Sequence, residues 1–238
     1  MATLILARHG RTTANATGVL AGRSKGVHLD ETGVGQARGA GERLVGLSLS
    51  AIVTSPLERC KETAREISRL QPTAVKPTHE RRLLECDYGS WTGRDLKSLA
   101  KEPLWRTVQA HPAAVRFPDG ESMAQMMSRS VTAVREWDAR VEAEHGAGAV
   151  WLAVSHGDVI KAILADALGL HLDLFQRIVV DPSSLSVIRY TPLRPFVVSV
   201  NSFAGDLGGL NPSKKKAGKR SKRLASDAAV GGGSGVVA

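Results

Sequence analysis

Arg8-His9-Gly10 directly follows the apolar segment Thr3-Leu4-Ile5-Leu6-Ala7, and the polar residues Arg11-Thr12-Thr13-Ala14-Asn15 come next. The pattern predicts a short buried strand that ends in a cation, an imidazole and a conformationally free glycine. Open α/β sheets bind their ligands at the carboxyl ends of their strands. A second junction of this kind is Val150-Trp151-Leu152-Ala153-Val154-Ser155-His156-Gly157. Two strand-end histidines, each followed by glycine, predict one site built from two distant segments.

Alternating strand and helix patterns around these junctions predict the fold class. Strands are expected at residues 3–7, 51–54, 149–154, 185–190 and 196–201. Helices are expected at 31–47, 56–70, 122–145 and 158–168. Strands that alternate with helices, with polar chemistry at the strand ends, indicate a three-layer α/β/α sandwich. Its central sheet is expected to be mixed and mostly parallel.

Local signals predict where several helices begin. Thr32 lies near the expected start of the helix over 31–47, although glycines at 35, 39 and 41 weaken that helix. Ser55-Pro56 offers an N-cap followed by proline at the first helical position. Ser122 with Gln125 three residues later forms a capping box, and Gly146 is placed to end that helix.

Composition indicates an ordinary globular protein. The chain has 238 residues, 42% of them hydrophobic and 23% charged. No run approaches the ~20 apolar residues that span a bilayer, and the N-terminus lacks a leader pattern, so neither a membrane partner nor a signal peptide is expected. Two cysteines, Cys60 and Cys86, make no disulfide framework, and both are expected to be buried. A reducing, cytoplasmic location fits this cysteine usage.

Most of the net charge of +9 belongs to the C-terminus. From residue 211 onward there are seven Lys and Arg residues and one acid, Asp227, which leaves about +3 for residues 1–210. The strand and helix patterns also stop near Leu210. We therefore expect a catalytic domain over 1–210 and a basic, disordered tail over 211–238. This tail would either make weak contacts with polyanions or serve as a solubilising extension.

The chemistry of the junctions predicts a pocket for a tetrahedral anion. A neutral imidazole is a competent nucleophile or base, and the planar guanidinium of Arg8 suits phosphate oxygens. Arg59 lies in the first turn of the helix expected after Ser55-Pro56, where free backbone N–H groups favour anions. A carboxyl group, Glu85, precedes the turn Gly89-Ser90-Trp91-Thr92-Gly93, and a carboxylic acid near an anion pocket can protonate a leaving oxygen.

Four blocks, taken in order, resemble the histidine phosphatase (phosphoglycerate mutase-like) superfamily over roughly residues 1–203. They are Arg8-His9-Gly10 with Thr12 and Asn15, Thr54-Ser55-Pro56-Leu57-Glu58-Arg59, Glu85 ahead of Gly89-Ser90-Trp91-Thr92-Gly93, and Ser155-His156-Gly157.

The resemblance implies a role for each matched residue and no metal or other cofactor. His9 would attack phosphorus and become phosphohistidine. Glu85 would protonate the departing alkoxide and then activate water. The phosphoryl oxygens would be bound by Arg8, Asn15, Arg59 and His156, which also makes these two arginines and His156 catalytic. Further contacts with the phosphate or the substrate are expected from Thr12, Gly22 and Gly157.

Two features leave alternatives open. Asp158 is a second acid beside the site, although Gly157 occupies the place where a distant acid-phosphatase branch carries its proton donor, so Glu85 is favoured. The insertion over 94–121 looks shorter than in the glycolytic mutases. Its cations would either grip a second anionic group of the substrate or form a solvated face; they are Arg94, Lys97, Lys101, Arg106 and Arg116.

The expected function is hydrolysis of a small phosphorylated metabolite through phosphohistidine. A phosphomutase would use the same blocks and is the alternative, although a mutase must exclude water, which favours a longer lid. Ala21 stands where mutases of the family often carry a hydroxyl residue. A third reading is a non-catalytic polyanion-binding module, which would have no chemical reason to keep these four blocks. The oligomeric state is left open, and a dimer is compatible with the sequence.

Overall fold

The central sheet has six strands in the computed structural model, which describes residues 2–203 and Gly231. In chain order they are β1 (Thr3–Arg8), β2 (Leu49–Thr54), β3 (Thr78–His79), β4 (Val150–Ser155), β5 (Leu185–Arg189) and β6 (Phe196–Ser202). Their spatial order is β3-β2-β4-β1-β5-β6. The first four in this order pair in parallel, whereas β5 and β6 pair antiparallel. The expected mixed, mostly parallel sheet is confirmed.

Helices cover both faces of the sheet. The α-helices are α1 (Thr13–Thr17), α2 (Glu31–Glu42), α3 (Glu58–Arg69), α4 (Leu96–Leu99), α5 (Pro103–Ala110), α6 (Met123–His145) and α7 (Gly157–Ala167). Short 3₁₀ helices lie at Arg81–Leu83, Gly89–Trp91, Pro112–Ala114 and Leu172–Arg177. None of the helices in this described part of the chain has the length and continuous apolar character that a membrane crossing requires.

Alternation along the strands divides the core into two layers. Leu4 and Leu6 of β1 pack in the larger cluster with apolar residues of α6 and α7, while Ile5 and Ala7 pack in the smaller cluster with residues of α2 and α3. Successive strand residues point to opposite faces, so an almost wholly apolar strand such as β1 can be buried on both sides. The two clusters make the three layers expected from the sequence.

The topology brings three strand ends together at one edge of the sheet. β4 lies between β1 and β2, so the residues that follow these strands become neighbours. The backbone N–H of His9 donates to the carbonyl of Ser155 at 2.9 Å, and that of Ser55 donates to Val154 at 3.0 Å. His9, His156 and Ser55 are therefore fixed side by side by the sheet.

Helix α2 is shorter than expected. It ends at Glu42 rather than near Leu47, and its N-cap is Asp30, whose carboxylate accepts from the N–H of Gly33 at 2.7 Å. Thr32, expected near the cap, lies inside the first turn, and its hydroxyl accepts from Arg11 at 2.8 Å. Glycine carries a helix penalty of about 1 kcal/mol relative to alanine, which explains why this glycine-bearing pattern stops early.

The start of α3, predicted at Pro56, is wrong by two residues. Its N-cap is Leu57, which makes no side-chain capping bond, and the helix begins at Glu58. The hydroxyl of Ser55 lies instead 2.8 Å from Nε2 of His156. Proximity to the second histidine has displaced the ordinary capping role of this serine. Arg59 still lies in the first turn, as expected.

Predictions for the later helices agree with the structure. Ser122 and Gln125 form both bonds of the capping box of α6, and Gly146 is its C-cap. Helix α7 begins at Gly157, one residue before the expected start, and is almost wholly buried. Helix α1, which lies between the strand expected over 3–7 and the helix expected over 31–47, was not predicted; Thr12 and Asn15 form its capping box.

The predicted tail over 211–238 lies outside the described residues, apart from Gly231. The backbone N–H of Gly231 donates to Oδ2 of Asp158 at 3.0 Å. This residue therefore lies at the carboxyl edge of the sheet.

Candidate active site

The two strand-end histidines meet edge to face. Their ring centroids are 5.3 Å apart with an interplanar angle of 62°, and both residues are buried. Because β1 and β4 are adjacent and parallel, the residue after each strand reaches the same point. The structure thus brings His9 and His156 together as the sequence predicted.

His9 is held as a neutral imidazole in one tautomer. Its Nδ1 lies 2.7 Å from the carbonyl oxygen of Gly10. A carbonyl can only accept, so Nδ1 carries the proton and Nε2 keeps its lone pair. Burial lowers the pKa of His9 well below its usual value, and the charges of Arg59 and Arg8 lower it further. A ring nitrogen with a free lone pair is the form that can act as a nucleophile.

His156 lies behind His9 rather than on the cavity wall. Its Nε2 is 2.8 Å from Oγ of Ser55 and 3.5 Å from Sγ of Cys60. Burial lowers the pKa of His156 well below its usual value, with the charge of Arg59 as the next cause. Burial also raises the pKa of the Cys60 thiol to about 12, which keeps it protonated. Ser55 and Cys60 therefore orient a neutral second imidazole.

Arg59 offers an unused donor at the site. Its Nη2 donates to the carbonyl of Gly22 at 2.7 Å, whereas its buried Nη1 has no hydrogen-bond partner among the described residues. A buried guanidinium N–H without a partner is costly, and an anion oxygen would satisfy it. Gly22 makes the contact possible with φ +50°, and a Cβ there would come within 2.8 Å of Oγ1 of Thr92.

Arg8 is buried deeper than its position in the motif suggests. Its Nη1 donates to the carbonyl of Val180 at 2.8 Å, and the side chain does not line the cavity. Burial lowers the pKa of Arg8 to about 10, so the side chain stays charged near neutral pH. Arg8 therefore acts on the site through its positive charge, which lowers the pKa of His9.

Glu85 is a buried carboxyl group on the cavity wall. Its Oε1 accepts from the N–H of Cys86 at 2.9 Å, and its backbone carbonyl accepts from Arg23 at 2.9 Å and from Arg129 at 3.1 Å. Burial raises the pKa of Glu85 to about 7, and the charge of Asp158 raises it further against the opposing arginines. A carboxyl group with a pKa near 7 can both give and take a proton at neutral pH.

Asp158 is engaged away from the cavity. Its Oδ2 accepts from the hydroxyl of Tyr88 at 2.7 Å and from the N–H of Gly231 at 3.0 Å, and Oδ1 lies 3.9 Å from Nζ of Lys161. The side chain does not line the cavity that Glu85 faces. Of the two acids considered from the sequence, Glu85 is the one in position to meet a bound molecule.

The cavity at this edge is small and has a volume of about 30 Å³. A single water needs roughly 10–15 Å³ on this measure, so the space suits a group of phosphoryl size. Six residues predicted from the sequence line it: His9, Thr12, Asn15, Gly22, Arg59 and Glu85. Arg8, His156 and Gly157 lie outside the lining, and Tyr88, Leu96 and Gly231 complete parts of the wall.

The cations of the insertion do not reach this cavity. Of residues 94–121 only Leu96 lines it, and Arg94 pairs with Glu102. Of the two alternatives for these cations, a solvated helix face therefore fits the structure better than contact with a second anionic group of the substrate.

Sequence reasoning missed the groups that support the site. Thr63 accepts from the N–H of Gly10 at 3.0 Å and donates to the carbonyl of Arg59 at 2.8 Å, which links the two junctions. Arg23 and Arg129 pair with Glu121 while both hold the carbonyl of Glu85. Thr63 follows Arg59 by one helical turn, which is the only signal in the sequence that could have indicated it.

Together, the fold and the site define an α/β protein whose imidazole-lined, cationic cavity lies at the carboxyl edge of the sheet. The family model of the histidine phosphatase superfamily (branch 1) matches residues 4–202. The chain belongs to this superfamily, as the four sequence blocks predicted.

Relatives within the superfamily carry two kinds of activity in their names. Phosphoserine phosphatase 1 of Hydrogenobacter thermophilus is 31% identical over 207 residues, which cover 84% of this chain and 92% of that protein. The probable phosphoglycerate mutase GpmB of Yersinia enterocolitica is 32% identical over 215 residues, which cover 89% and 96%.

Solved structures match the fold closely. YhfR of Bacillus stearothermophilus superposes with a TM-score of 0.77 at 25% identity, covering 86% of this chain and 98% of that one. A mycobacterial glucosyl-3-phosphoglycerate phosphatase in complex with VO3 gives a TM-score of 0.73 at 26% identity, covering 84% and 98%. The chain is thus an enzyme of a superfamily that contains both phosphatases and phosphoglycerate mutases.

Proposed function

We propose that the protein hydrolyses the phosphomonoester of a small metabolite through a phosphohistidine intermediate on His9. One observation carries the proposal: a buried, neutral His9 and a protonatable Glu85 line the same phosphoryl-sized cavity. This pairing supplies the nucleophile and the acid that the reaction requires.

The first half-reaction transfers the phosphoryl group to the protein. Nε2 of His9 attacks phosphorus and forms the P–N bond while the ester P–O bond breaks. The leaving alkoxide takes the proton of Glu85. The free N–H of Arg59 binds a phosphoryl oxygen, and the charge of Arg8 stabilises the transition state from behind. Phosphoryl transfer depends mainly on such positioning and charge stabilisation.

The second half-reaction restores the protein. Glu85, now a carboxylate, takes a proton from a water molecule as the water oxygen attacks phosphorus. The P–N bond breaks, and His9 recovers its lone pair as inorganic phosphate leaves. We assign contacts with the substrate to Thr12, Asn15 and Gly22, which line the cavity. His156 and Gly157 lie outside the lining, and we assign to His156 the role of positioning the ring of His9.

Substitution of the nucleophile tests the mechanism. His9→Ala should lower turnover by at least about 10³-fold, because no other described side chain can replace the attacking nitrogen. It should also abolish acid-labile labelling by a ³²P-phosphorylated substrate. His145→Ala at the exposed end of α6 is the matched control and should retain both properties. Full labelling of His9→Ala would refute the assignment.

A phosphomutase is the second candidate, and the similarity to a probable phosphoglycerate mutase favours it. A mutase returns the phosphoryl group to another oxygen of the bound molecule instead of to water. Incubation with 3-phosphoglycerate, with and without a bisphosphate primer, separates the two. Isomerisation faster than release of phosphate would show that hydrolysis is not the principal reaction.

The sequence also allowed a function without catalysis. A non-catalytic polyanion-binding module would need neither a neutral His9 nor a carboxyl group with a raised pKa. We therefore favour the enzyme. Contact of the basic tail with polyanions, a cytoplasmic location and a dimeric state stay predictions from the sequence.

A further inference from the structure

A second and much larger cavity lies beside α3. Its volume is about 760 Å³, and it shares no lining residue with the phosphoryl-sized cavity. One wall is the outer face of α3 with Lys61, Arg65 and Arg69, and the facing wall is the segment 71–77 with His79 of β3. The volume falls within the roughly 300–1,000 Å³ that is typical of sites for small organic molecules.

Charge is segregated around α3. Neither Glu62 nor Glu66 lines the cavity: Glu62 contacts His28, and Glu66 pairs with Arg38 and with Arg69. In contrast, Lys61 and Arg65 have no carboxylate within ion-pair distance among the described residues. Lys61 and Arg65 therefore leave positive charge on the cavity face of this helix, whereas the charge of Arg69 is paired.

The facing wall is basic as well. Lys76 and His79 lie on it, and no Asp or Glu lines the cavity. Of the arginines on α3, only Arg69 reaches back to a carboxylate, that of Glu66 at 2.7 Å. Like charges on opposite walls repel each other, and an anion between them converts this repulsion into attraction.

The cavity wall also has an apolar part. Pro72, Val75 and Pro77 provide an apolar surface, and the hydroxyl of Ser68 donates to the carbonyl of Val75 at 2.7 Å, which ties this wall to α3.

We propose that this cavity, the α3 anion pocket, binds a small organic polyanion. Two or more phosphate or carboxylate groups would bridge Lys61 and Arg65 on one wall and Lys76 on the other, with an apolar part of the molecule against Val75 and the prolines.

The α3 anion pocket lies next to the active-site edge of the sheet. Thr54, the last residue of β2, lines the pocket, and the following residue, Ser55, contacts His156. A ligand in the pocket would therefore lie one residue from a group that orients the second imidazole.

Calorimetric titration with inorganic pyrophosphate tests the proposal in the full-length protein. Arg59→Gln removes the unused donor of the phosphoryl-sized cavity and weakens binding there, so the binding that the pocket substitutions remove from this variant reports the second site. Adding Arg65→Glu and Lys76→Glu to Arg59→Gln should weaken that binding by about tenfold or more, because charge-assisted hydrogen bonds are lost. The same titration with citrate distinguishes a carboxylate ligand from a phosphate ligand.

Matched variants keep the experiment decisive. Arg189→Glu with Arg194→Glu changes the net charge equally on exposed positions outside both cavities and should leave binding intact. Unchanged phosphatase activity of Arg65→Glu/Lys76→Glu with intact Arg59 would show that the pocket variant is folded. The proposal is wrong if the pocket variant binds both anions as tightly as the control, or if the control loses as much affinity. Neither outcome depends on whether His9 is the nucleophile.

Discussion

Glu85 and Asp158 show how environment assigns different roles to two similar side chains. The carboxyl of Asp158 accepts from Tyr88 and Gly231 and does not itself line the small cavity. That of Glu85 lines the cavity, and its pKa is raised to about 7 by burial and then by the charge of Asp158. In the proposed reaction, Asp158 would therefore help to keep a proton on Glu85.

The first prediction concerns the proton that Glu85 donates. Glu85→Gln should slow hydrolysis of alkyl phosphates by on the order of 10²-fold and that of aryl phosphates much less, because aryl oxides leave without protonation. In the unsubstituted protein, cleavage of alkyl esters should fall as pH rises through about 7, where Glu85 loses its proton. Initial rates for both ester classes between pH 5 and 9 measure this. If Asp158→Asn, rather than Glu85→Gln, selectively slows alkyl esters, Asp158 is the acid.

The second prediction is the effect of the same side chain on stability. The pKa of Glu85 is raised from 4.5 to about 7 on folding, so between these values the unfolded chain releases a proton that the folded chain keeps. Stability therefore falls as pH rises through this range. Glu85→Gln lacks this penalty and should be more stable at pH 8 by on the order of 2–3 kcal/mol, with the difference vanishing below about pH 4.5. Urea denaturation at both pH values tests the sign, and equal stabilities at pH 8 would contradict it.

The sequence predicts which residues belong to the site better than it predicts their hydrogen-bond partners. His9 lines the cavity because its motif follows the end of β1, and Arg59 lines it because its motif begins α3, whereas Glu85 lines it from the segment between two short 3₁₀ helices. Arg8 has the same motif support, yet it lies on the strand itself and its guanidinium donates to Val180, a residue 172 positions away. No local pattern specifies such a partner. Ser55 was assigned to a helix cap because its contact with His156 spans 101 positions.

Helices and strands were predicted well where the hydrophobic periodicity and the capping residues indicate the same boundaries. The capping box of α6 and the apolar run of β4 correspond to the structure almost residue for residue. Helix α2 is the exception, because its glycines weaken the local signal while tertiary contacts decide its position. A Cβ on Gly33 would lie 2.0 Å from the carbonyl oxygen of Arg11, so α2 packs directly against the backbone that follows His9.

The third prediction compares two glycines of this helix. Gly33→Ala should lower the free energy of unfolding by about 1–3 kcal/mol, because the added methyl group forces α2 away from Arg11. Gly35→Ala meets nothing within 4 Å and should raise the free energy of unfolding by about 0.5–1 kcal/mol. Urea denaturation of the two variants gives opposite signs if the packing argument holds. A Gly33→Ala variant as stable as Gly35→Ala would mean that the close approach is not rigid.

At the scale of the whole molecule, the sheet order converts distant sequence blocks into one site. Strands β1 and β4 lie side by side although their paired residues, such as Thr3 and Val150, are 147 positions apart in the chain, and β2 lies on the other side of β4. This convergence was predictable because parallel strands share a carboxyl edge. The position of Gly231 was not predictable, because a glycine in a low-complexity sequence carries no pattern that indicates a partner.

The final prediction follows from the contact between Gly231 and the rim of the small cavity. A variant that ends at Phe203 keeps the apolar core described above and should unfold within a few degrees of the full chain. Without Gly231, the cavity of about 30 Å³ loses part of its wall beside Leu20 and Tyr88. Bulky phosphate esters should then gain about threefold to tenfold in kcat/KM relative to small ones, because less substrate surface is excluded.

A single substitution separates this wall from the charge of the tail. Gly231 has φ +72°, and a Cβ would lie 2.9 Å from Cδ1 of Leu20, so Gly231→Val should displace the segment and reproduce the shift in selectivity. Replacing Lys214, Lys215 and Lys216 with glutamine removes charge without touching Gly231 and should leave selectivity unchanged. If the lysine variant shifts selectivity while Gly231→Val does not, the tail acts on the substrate through its charge, and the contact of Gly231 with Asp158 has no part in it.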